Sequence, residues 1–313
     1  RQGQLYGVHC EPAPEPTRFL EAGDALDLGG NALRVLFVPG HAPGHIALFA
    51  EQERFVIAGD VLFRDSIGRT DLRLVYQPKF DARTAAVVGV EALLRWRHLD
   101  RGLLRPGEFL PLVRQHGLMG QATGLVVNMA LDDALRWYTA GAEVPVAVNL
   151  FAPLLSDLKL PDQLCQALDD RGLAPSALAV EITEDLFVDN MADTRTVLAV
   201  LADRGIRIAL DDFGTGYSAL TYLSDLPIHE IKLDHDFIAR VTADERAAMV
   251  VSTIIDLAHK LGFETVAEGI ESAESAVQLR DFGCDVLQGY FLSPPLPASE
   301  VLGVLTSSAR PVF

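Results

Sequence analysis

The chain has 313 residues, about twice the length of a typical domain, and its 49% apolar content excludes wholesale disorder. Acidic residues outnumber basic ones by 43 to 26, which gives a net charge of −17 and disfavours binding to long nucleic acids. No apolar run reaches the length of a membrane span, and the first residues lack the layout of a secretory signal. We therefore expect a soluble piece of a longer protein, with no membrane segment. Three scattered cysteines exclude a disulfide framework and favour the reducing cytoplasm.

The first 71 residues form a region with its own pattern. Short apolar runs at 33–38, 45–50 and 54–59 alternate with Gly and Pro, which predicts strands joined by turns. No long helical pattern occurs in this region. We predict a small β-rich fragment over residues 1–71 and a second domain over residues 72–313.

The second region alternates strand and helix patterns. Eight strands are predicted, at 73–80, 87–96, 144–151, 178–184, 206–213, 229–234, 263–269 and 285–291. Amphipathic stretches at 194–205 and 245–262 each end in Gly, a common helix stop. This rhythm predicts an α/β fold, a (β/α)8 TIM-like barrel. An open doubly wound sheet is the alternative, but the Gly-rich phosphate loop expected after its first strand is absent.

Polar side chains recur near the C-terminal ends of the predicted strands. They are Glu91, Asn149, Glu181, Glu184, Asp211, Asp212, Lys232, Glu268 and Gln288. In a barrel these ends meet at one face, so residues distant in sequence surround one pocket. Several carboxylates that share a pocket with a single lysine need divalent cations, and oxygen ligands suit Mg²⁺, Mn²⁺ or Ca²⁺.

Residues 72–305 resemble the EAL-domain phosphodiesterases that hydrolyse the bacterial messenger cyclic di-GMP. The motifs that carry the resemblance are YQPKFD (76–81), EALLRW (91–96), NLF (149–151), EITE (181–184), DDFGTGYSAL (211–220), IKLD (231–234), AEGIE (267–271) and QGYF (288–291). They occur in order and cover nearly the whole region. The resemblance implies hydrolysis of cyclic di-GMP to pGpG by a water that two Mg²⁺ or Mn²⁺ ions activate. It also implies that the domain can form a homodimer.

The resemblance further implies a role for individual residues. The metal ligands would be Glu91, Asn149, Glu181, Asp211 and Asp212. Lys232 would contact the attacking water, Glu268 would be an essential carboxylate, and Glu184 would hold the DFGTGYSAL loop. Substrate contacts are implied for Gln77, Leu93, Arg95, Glu271 and Gln288.

Residues 1–71 resemble a different family, the later part of a metallo-β-lactamase-fold hydrolase of the glyoxalase type. The motifs are GDALDLGG (23–30), VPGHAPGH (38–45), AGDVLF (58–63) and SIGRTDL (66–72). The resemblance makes His41 and Asp60 vestigial metal ligands. The upstream HxHxDH motif and the final histidine ligand are absent, so we expect a truncated remnant or a fusion junction without activity.

Two alternatives remain beside an active phosphodiesterase. A degenerate domain could bind cyclic di-GMP only as a receptor, although such receptors usually lack some of the ligands that this chain retains. A metallo-β-lactamase-type thioesterase is disfavoured by the missing ligands. Incubation with cyclic di-GMP and Mg²⁺, followed by detection of pGpG, distinguishes the phosphodiesterase from these two alternatives.

Overall fold

The computed structural model describes residues 23–28, 31–37, 46–50, 55–57, 72–98, 101–115, 117–183, 191–214, 223, 226–307 and 311. The chain divides into two compact units, Arg1–Gly68 and Arg69–Phe313. Within the described ranges, we find no helix with the length and apolar character that a membrane crossing requires.

The described part of the first unit is an antiparallel sheet in the order β1-β2-β3-β4. Its strands are β1 (Ala25–Leu28), β2 (Asn31–Phe37), β3 (Ile46–Ala50) and β4 (Phe55–Ile57). Strands β2 to β4 confirm the three predicted strands. The sequence analysis missed β1, because Asp27 interrupts the apolar pattern of this four-residue strand.

The second unit contains a closed barrel of eight strands, which confirms the predicted fold class. The barrel strands are β5 (Leu72–Asp81), β6 (Val87–His98), β8 (Val146–Asn149), β9 (Leu178–Thr183), β10 (Arg207–Phe213), β11 (Glu230–Leu233), β12 (Glu264–Ala267) and β13 (Val286–Leu287). Two short strands, β7 (Gly102–Leu104) and β14 (Leu296–Pro297), pair with β6 and β5 outside the closed ring.

The first barrel strand runs against its neighbours. Strand β5 pairs antiparallel with both β6 and β13, whereas the pairs from β6 through β13 are parallel. Only residues 82–86 separate β5 from β6. Such a short turn allows an antiparallel pair but not the crossover helix that a parallel pair requires.

Helices surround the barrel and bury their apolar faces against it. They are α1 (Pro106–Gln115), α2 (Met119–Thr139), α3 (Leu160–Asp169), α4 (Met191–Asp203), α5 (His235–Ile238), α6 (Glu245–Leu261), α7 (Ala273–Asp281) and α8 (Ala298–Thr306). Helix α6 ends at Gly262, which adopts the left-handed conformation with a φ of 85°. The Gly stop predicted for this helix is therefore confirmed, since a residue without Cβ adopts that conformation without strain.

Candidate active site

Seven barrel strands each place a predicted polar site residue on or directly after the strand. Glu91, Asn149, Glu181, Asp211 and Lys232 lie on β6, β8, β9, β10 and β11, in that order. Glu268 follows the last residue of β12, and Gln288 follows β13. Because parallel strands of a barrel end at the same face, these residues meet although they are far apart in sequence.

The ammonium group of Lys232 lies at the centre of this site. Its Nζ lies 2.7 Å from Glu181 Oε2, 3.1 Å from Asp211 Oδ1, 2.6 Å from Glu268 Oε1 and 3.6 Å from Glu91 Oε2. We call these five residues the Lys232 cluster. Lys232 is almost wholly buried, and a buried cation of this kind requires compensating charge.

Amide side chains extend the cluster around Glu91. Asn149 Nδ2 donates to Glu91 Oε1 at 3.0 Å and to Glu181 Oε2 at 3.3 Å. Gln288 Nε2 donates to Glu91 Oε2 at 2.7 Å and to Gln77 Oε1 at 3.3 Å. Gln77 lies opposite Glu91 in the β5–β6 pair, which explains their shared face. Gln288 thus contacts the cluster itself and Gln77 contacts Gln288, in addition to any role toward a substrate.

Two lysines control the charge of Glu181. Burial alone would raise the pKa of this carboxyl, but the ammonium groups of Lys232 and Lys79 lower it to about 2. Burial likewise disfavours the charged form of Lys232, but the carboxylates of Asp211, Glu181 and Glu268 outweigh burial and raise its pKa. This pair is therefore ionised at neutral pH.

The pKa values of Glu91 and Glu268 are raised, whereas that of Glu181 is lowered. Burial, together with repulsion from Glu181, raises the pKa of Glu91 to about 7. Burial also raises the pKa of Glu268 to about 8, against the lowering effect of Lys232. Glu268 Oε1 forms an ion pair with Lys232 at 2.6 Å and has no hydrogen-bond partner among the described residues. Glu91 and Glu268 thus take up protons near neutral pH, because the cluster has more carboxyl groups than cations to compensate them.

The consecutive residues Asp211 and Asp212 lie where β10 departs from a regular strand. Asp212 has a φ of 54°, and the β10–β11 register shifts between Leu210 and Phe213. A left-handed φ is uncommon for residues other than Gly, and Asp tolerates it better than most. Because the irregularity breaks the alternation of side chains, it removes the requirement that Asp211 and Asp212 face opposite sides of the sheet.

Lys79 is a site residue to which the sequence analysis gave no role. Its Nζ donates to Glu181 Oε1 at 2.7 Å and to Glu230 Oε1 at 3.1 Å. The available signal was the position of Lys79 two residues after Gln77 in an apolar strand, which puts both side chains on the same face. Its partner Glu181 lies 102 residues further along the chain, so the sequence offers no direct sign of the pair.

A cavity of about 610 Å³ lies beside the cluster. Leu93, Asn149, Phe151 and Thr183 are among the residues that line it. Leu93 is therefore next to the cluster, as a substrate contact would require. Arg95 is half-buried, and its Nη1 donates to the backbone oxygen of Leu94 at 2.8 Å.

The remaining predicted residues are not joined to the cluster by the described contacts. Glu271 is exposed, and no described hydrogen bond or ion pair connects it to the cluster. Glu184, His41 and Asp60 lie outside the described residues. Their predicted roles stay predictions.

The donor chemistry of the cluster fits a hard divalent cation. Four carboxylates surround Lys232, and even with Lys79 they outnumber the cations. Carboxylate and amide oxygens are the ligands that Mg²⁺ and Mn²⁺ prefer. Within the described ranges, however, no three His, Cys, Asp or Glu side chains are already arranged around a metal position. Charge and ligand type therefore fit a cation, while the described geometry is that of an ion-pair cluster. Asn149 would have to turn its amide to present Oδ1.

Comparison with known proteins agrees with this architecture. The family model described as EAL domain matches residues 62–295. The bifunctional diguanylate cyclase/cyclic di-GMP phosphodiesterase MucR of Pseudomonas aeruginosa is 39% identical over 252 residues, which cover 80% of this chain and 36% of that protein. The cyclic di-GMP phosphodiesterase NbdA of the same organism is 38% identical over 239 residues, with 76% and 30% covered. The chain thus spans about a third of the length of these curated relatives.

Solved structures of EAL domains are also similar to this chain. The structure described as PaMucR phosphodiesterase in complex with c-di-GMP has a TM-score of 0.72 and 39% identity, and the match covers 76% of this chain and 97% of that chain. The EAL domain of Mycobacterium smegmatis DcpA has a TM-score of 0.65 and 30% identity, with 76% and 97% covered. By the extent of the family match and the identity to these relatives, the chain belongs to the EAL domain family.

Proposed function

We propose that this chain hydrolyses cyclic di-GMP to linear pGpG, and that two divalent cations, Mg²⁺ or Mn²⁺, are its cofactors. The observation that carries the proposal is the Lys232 cluster, which concentrates four carboxylates at the C-terminal end of the barrel. The substrate is inferred from relatives named cyclic di-GMP phosphodiesterases and from a related structure with c-di-GMP bound. The catalytic domain would extend over residues 72–313.

The ligands of the cations would be Glu91, Asn149, Glu181, Asp211 and Asp212. When bound, divalent cations neutralise charge on the phosphate oxygens and favour ionisation of the attacking water. They would also reverse the local field, so that a protein with a net charge of −17 could hold an anionic substrate.

The chain's own residues would orient the water and move its proton. Lys232 carries its ammonium group between the carboxylates, where it can donate a hydrogen bond to a water oxygen. Glu268 would accept the proton of the water as a general base, because its carboxyl group lies beside Lys232 at the centre of the site. Arg95 would bind a phosphate oxygen through its guanidinium group, and Leu93 would contact the substrate from the wall of the 610 Å³ cavity.

The test is direct. We expect the purified chain to convert cyclic di-GMP to pGpG in the presence of Mg²⁺ and to stop when EDTA is added, with product followed by chromatography. The Glu268→Gln variant keeps the size of the side chain and should lose turnover. Binding of cyclic di-GMP without pGpG formation by the wild-type chain would favour the alternative, a receptor domain.

For the first unit we propose a fragment of a metallo-β-lactamase-type fold. The support is the motif resemblance and a described antiparallel sheet of four strands. The two ligands that the motifs offer, His41 and Asp60, are too few for a catalytic zinc site. Absence of thioesterase activity from the full chain with added Zn²⁺ is the expected result.

A further inference from the structure

A line of alternating charges runs along the inside of the barrel. Glu230 lies at the start of β11 and contacts Lys79, Lys79 contacts Glu181, and Glu181 contacts Lys232. We call these four residues the axial column. Its upper end belongs to the Lys232 cluster, and Glu230 lies toward the opposite end of the barrel, where the parallel strands begin.

The barrel interior provides space for the long side chain of Lys79. Gly89, opposite Lys79 in the β5–β6 pair, brings no side chain into the interior. Ala147 and Ala179 are small, and they line the same 440 Å³ cavity as Lys79 and Glu230. Bulky branched residues usually fill a TIM-like barrel at this depth, so the small residues here are matched to a charged side chain.

Lys79 contacts the Lys232 cluster through its Nζ, which lies 2.7 Å from Glu181 Oε1. Its described ion pairs are with Glu181 Oε1 and Glu230 Oε1. The other oxygen of Glu181, Oε2, accepts from Lys232 at 2.7 Å and from Asn149 at 3.3 Å. Lys79 therefore holds one oxygen of a carboxylate whose other oxygen faces the cluster. Without Lys79, Oε1 of the fully buried Glu181 would lose its described donor.

We propose that Lys79 is a positioning residue that holds Oε1 of Glu181 and thereby orients Oε2 toward a bound divalent cation. This inference rests on the proposed function, because it takes Glu181 as a cation ligand. Groups that hold the second atom of a metal-binding side chain typically contribute about 10–100-fold to metal affinity or activity. Lys79 would act on the reaction through Glu181 and not through the substrate.

The test compares Lys79→Met with Glu230→Gln. Glu230→Gln breaks the Lys79–Glu230 ion pair alone, whereas Lys79→Met breaks that pair and also removes the donor to Glu181. We measure Mn²⁺ binding by isothermal titration calorimetry after removal of metal, together with kcat and KM for cyclic di-GMP. Lys79→Met should raise the Mn²⁺ dissociation constant by about 10–100-fold and lower kcat with little change in KM. Glu230→Gln should lower the melting temperature but leave Mn²⁺ affinity near the wild-type value.

A double variant separates positioning from general destabilisation. If Lys79 acts only through Glu181, then Lys79→Met combined with Glu181→Gln should bind Mn²⁺ as Glu181→Gln does alone. Circular dichroism verifies that each variant is folded. Lys79→Gln, which retains a polar side chain, replaces Lys79→Met if the methionine variant does not fold.

The possible failures are distinguishable. Wild-type Mn²⁺ affinity in Lys79→Met, or an equal loss in Glu230→Gln, would overturn the role of Lys79 while hydrolysis by the wild-type chain upholds the proposed function. Mn²⁺ binding without hydrolysis in the wild-type chain would contradict the proposed activity, and the comparison of affinities would still decide the role of Lys79. A wild-type chain that binds no Mn²⁺ would contradict both.

Discussion

Substitution of Glu91 by Gln should change stability in a way that depends on pH. In the metal-free protein, burial and the neighbouring Glu181 raise the pKa of Glu91 from 4.5 to about 7. Glu91 therefore contributes stability that is fully present below about pH 4.5 and is lost as the pH rises through about 7. Gln keeps the shape of the side chain and does not titrate. The stability of the variant relative to wild type should consequently rise with pH.

The magnitude follows from the pKa values in the two states. An increase from 4.5 to about 7, at about 1.4 kcal/mol for each pKa unit, corresponds to about 3 kcal/mol. This is an upper figure, because Lys232 and other cluster residues relax when the charge of Glu91 is removed. We expect the free energy of unfolding of Glu91→Gln minus that of wild type to increase by about 2–3 kcal/mol between pH 4.5 and pH 8.

The assay is urea denaturation at both pH values in the presence of EDTA, which keeps the site metal-free. Glu108→Gln is the matched control, since Glu108 is an exposed residue in a surface ion pair with Arg101 and should contribute little. A difference that stays constant or falls as the pH rises would refute the reasoning. The same Glu91→Gln protein should also lose hydrolysis of cyclic di-GMP at saturating Mg²⁺.

Three further outcomes are expected. Ca²⁺ should inhibit hydrolysis in the presence of Mg²⁺, because it prefers longer bonds of about 2.3–2.6 Å and more ligands, and equal rates with either ion would contradict this. A chain that begins at Arg69 should retain hydrolysis, because every proposed ligand follows residue 72, and an inactive but folded product would contradict it. Iodoacetamide at pH 8 should modify half-buried Cys165 faster than Cys284, because burial raises the pKa of the Cys284 thiol to about 12. Peptide mapping by mass spectrometry measures both sites, and equal rates would contradict the last prediction.

Local patterns were sufficient to predict the elements of the barrel. All eight predicted barrel strands occur, with ends that shift by a few residues, because apolar periodicity and flanking Gly residues act over short distances. The pattern did not reveal that β5 runs antiparallel to both neighbours. The five-residue connection at 82–86 carried that information, since no crossover helix fits within it.

The residue types near the C-terminal ends of the strands could be predicted from local patterns, and Glu91, Glu181, Asp211, Lys232 and Glu268 do form one cluster. Which atoms pair depends on the folded barrel. Lys79 and Glu181 are 102 residues apart, yet they form a buried ion pair at 2.7 Å. Burial and distance set the charge of each carboxylate, so Glu181 has a pKa of about 2 while Glu91 has one of about 7. Burial and distance both depend on how distant strands close into a barrel, so no local sequence pattern predicts them.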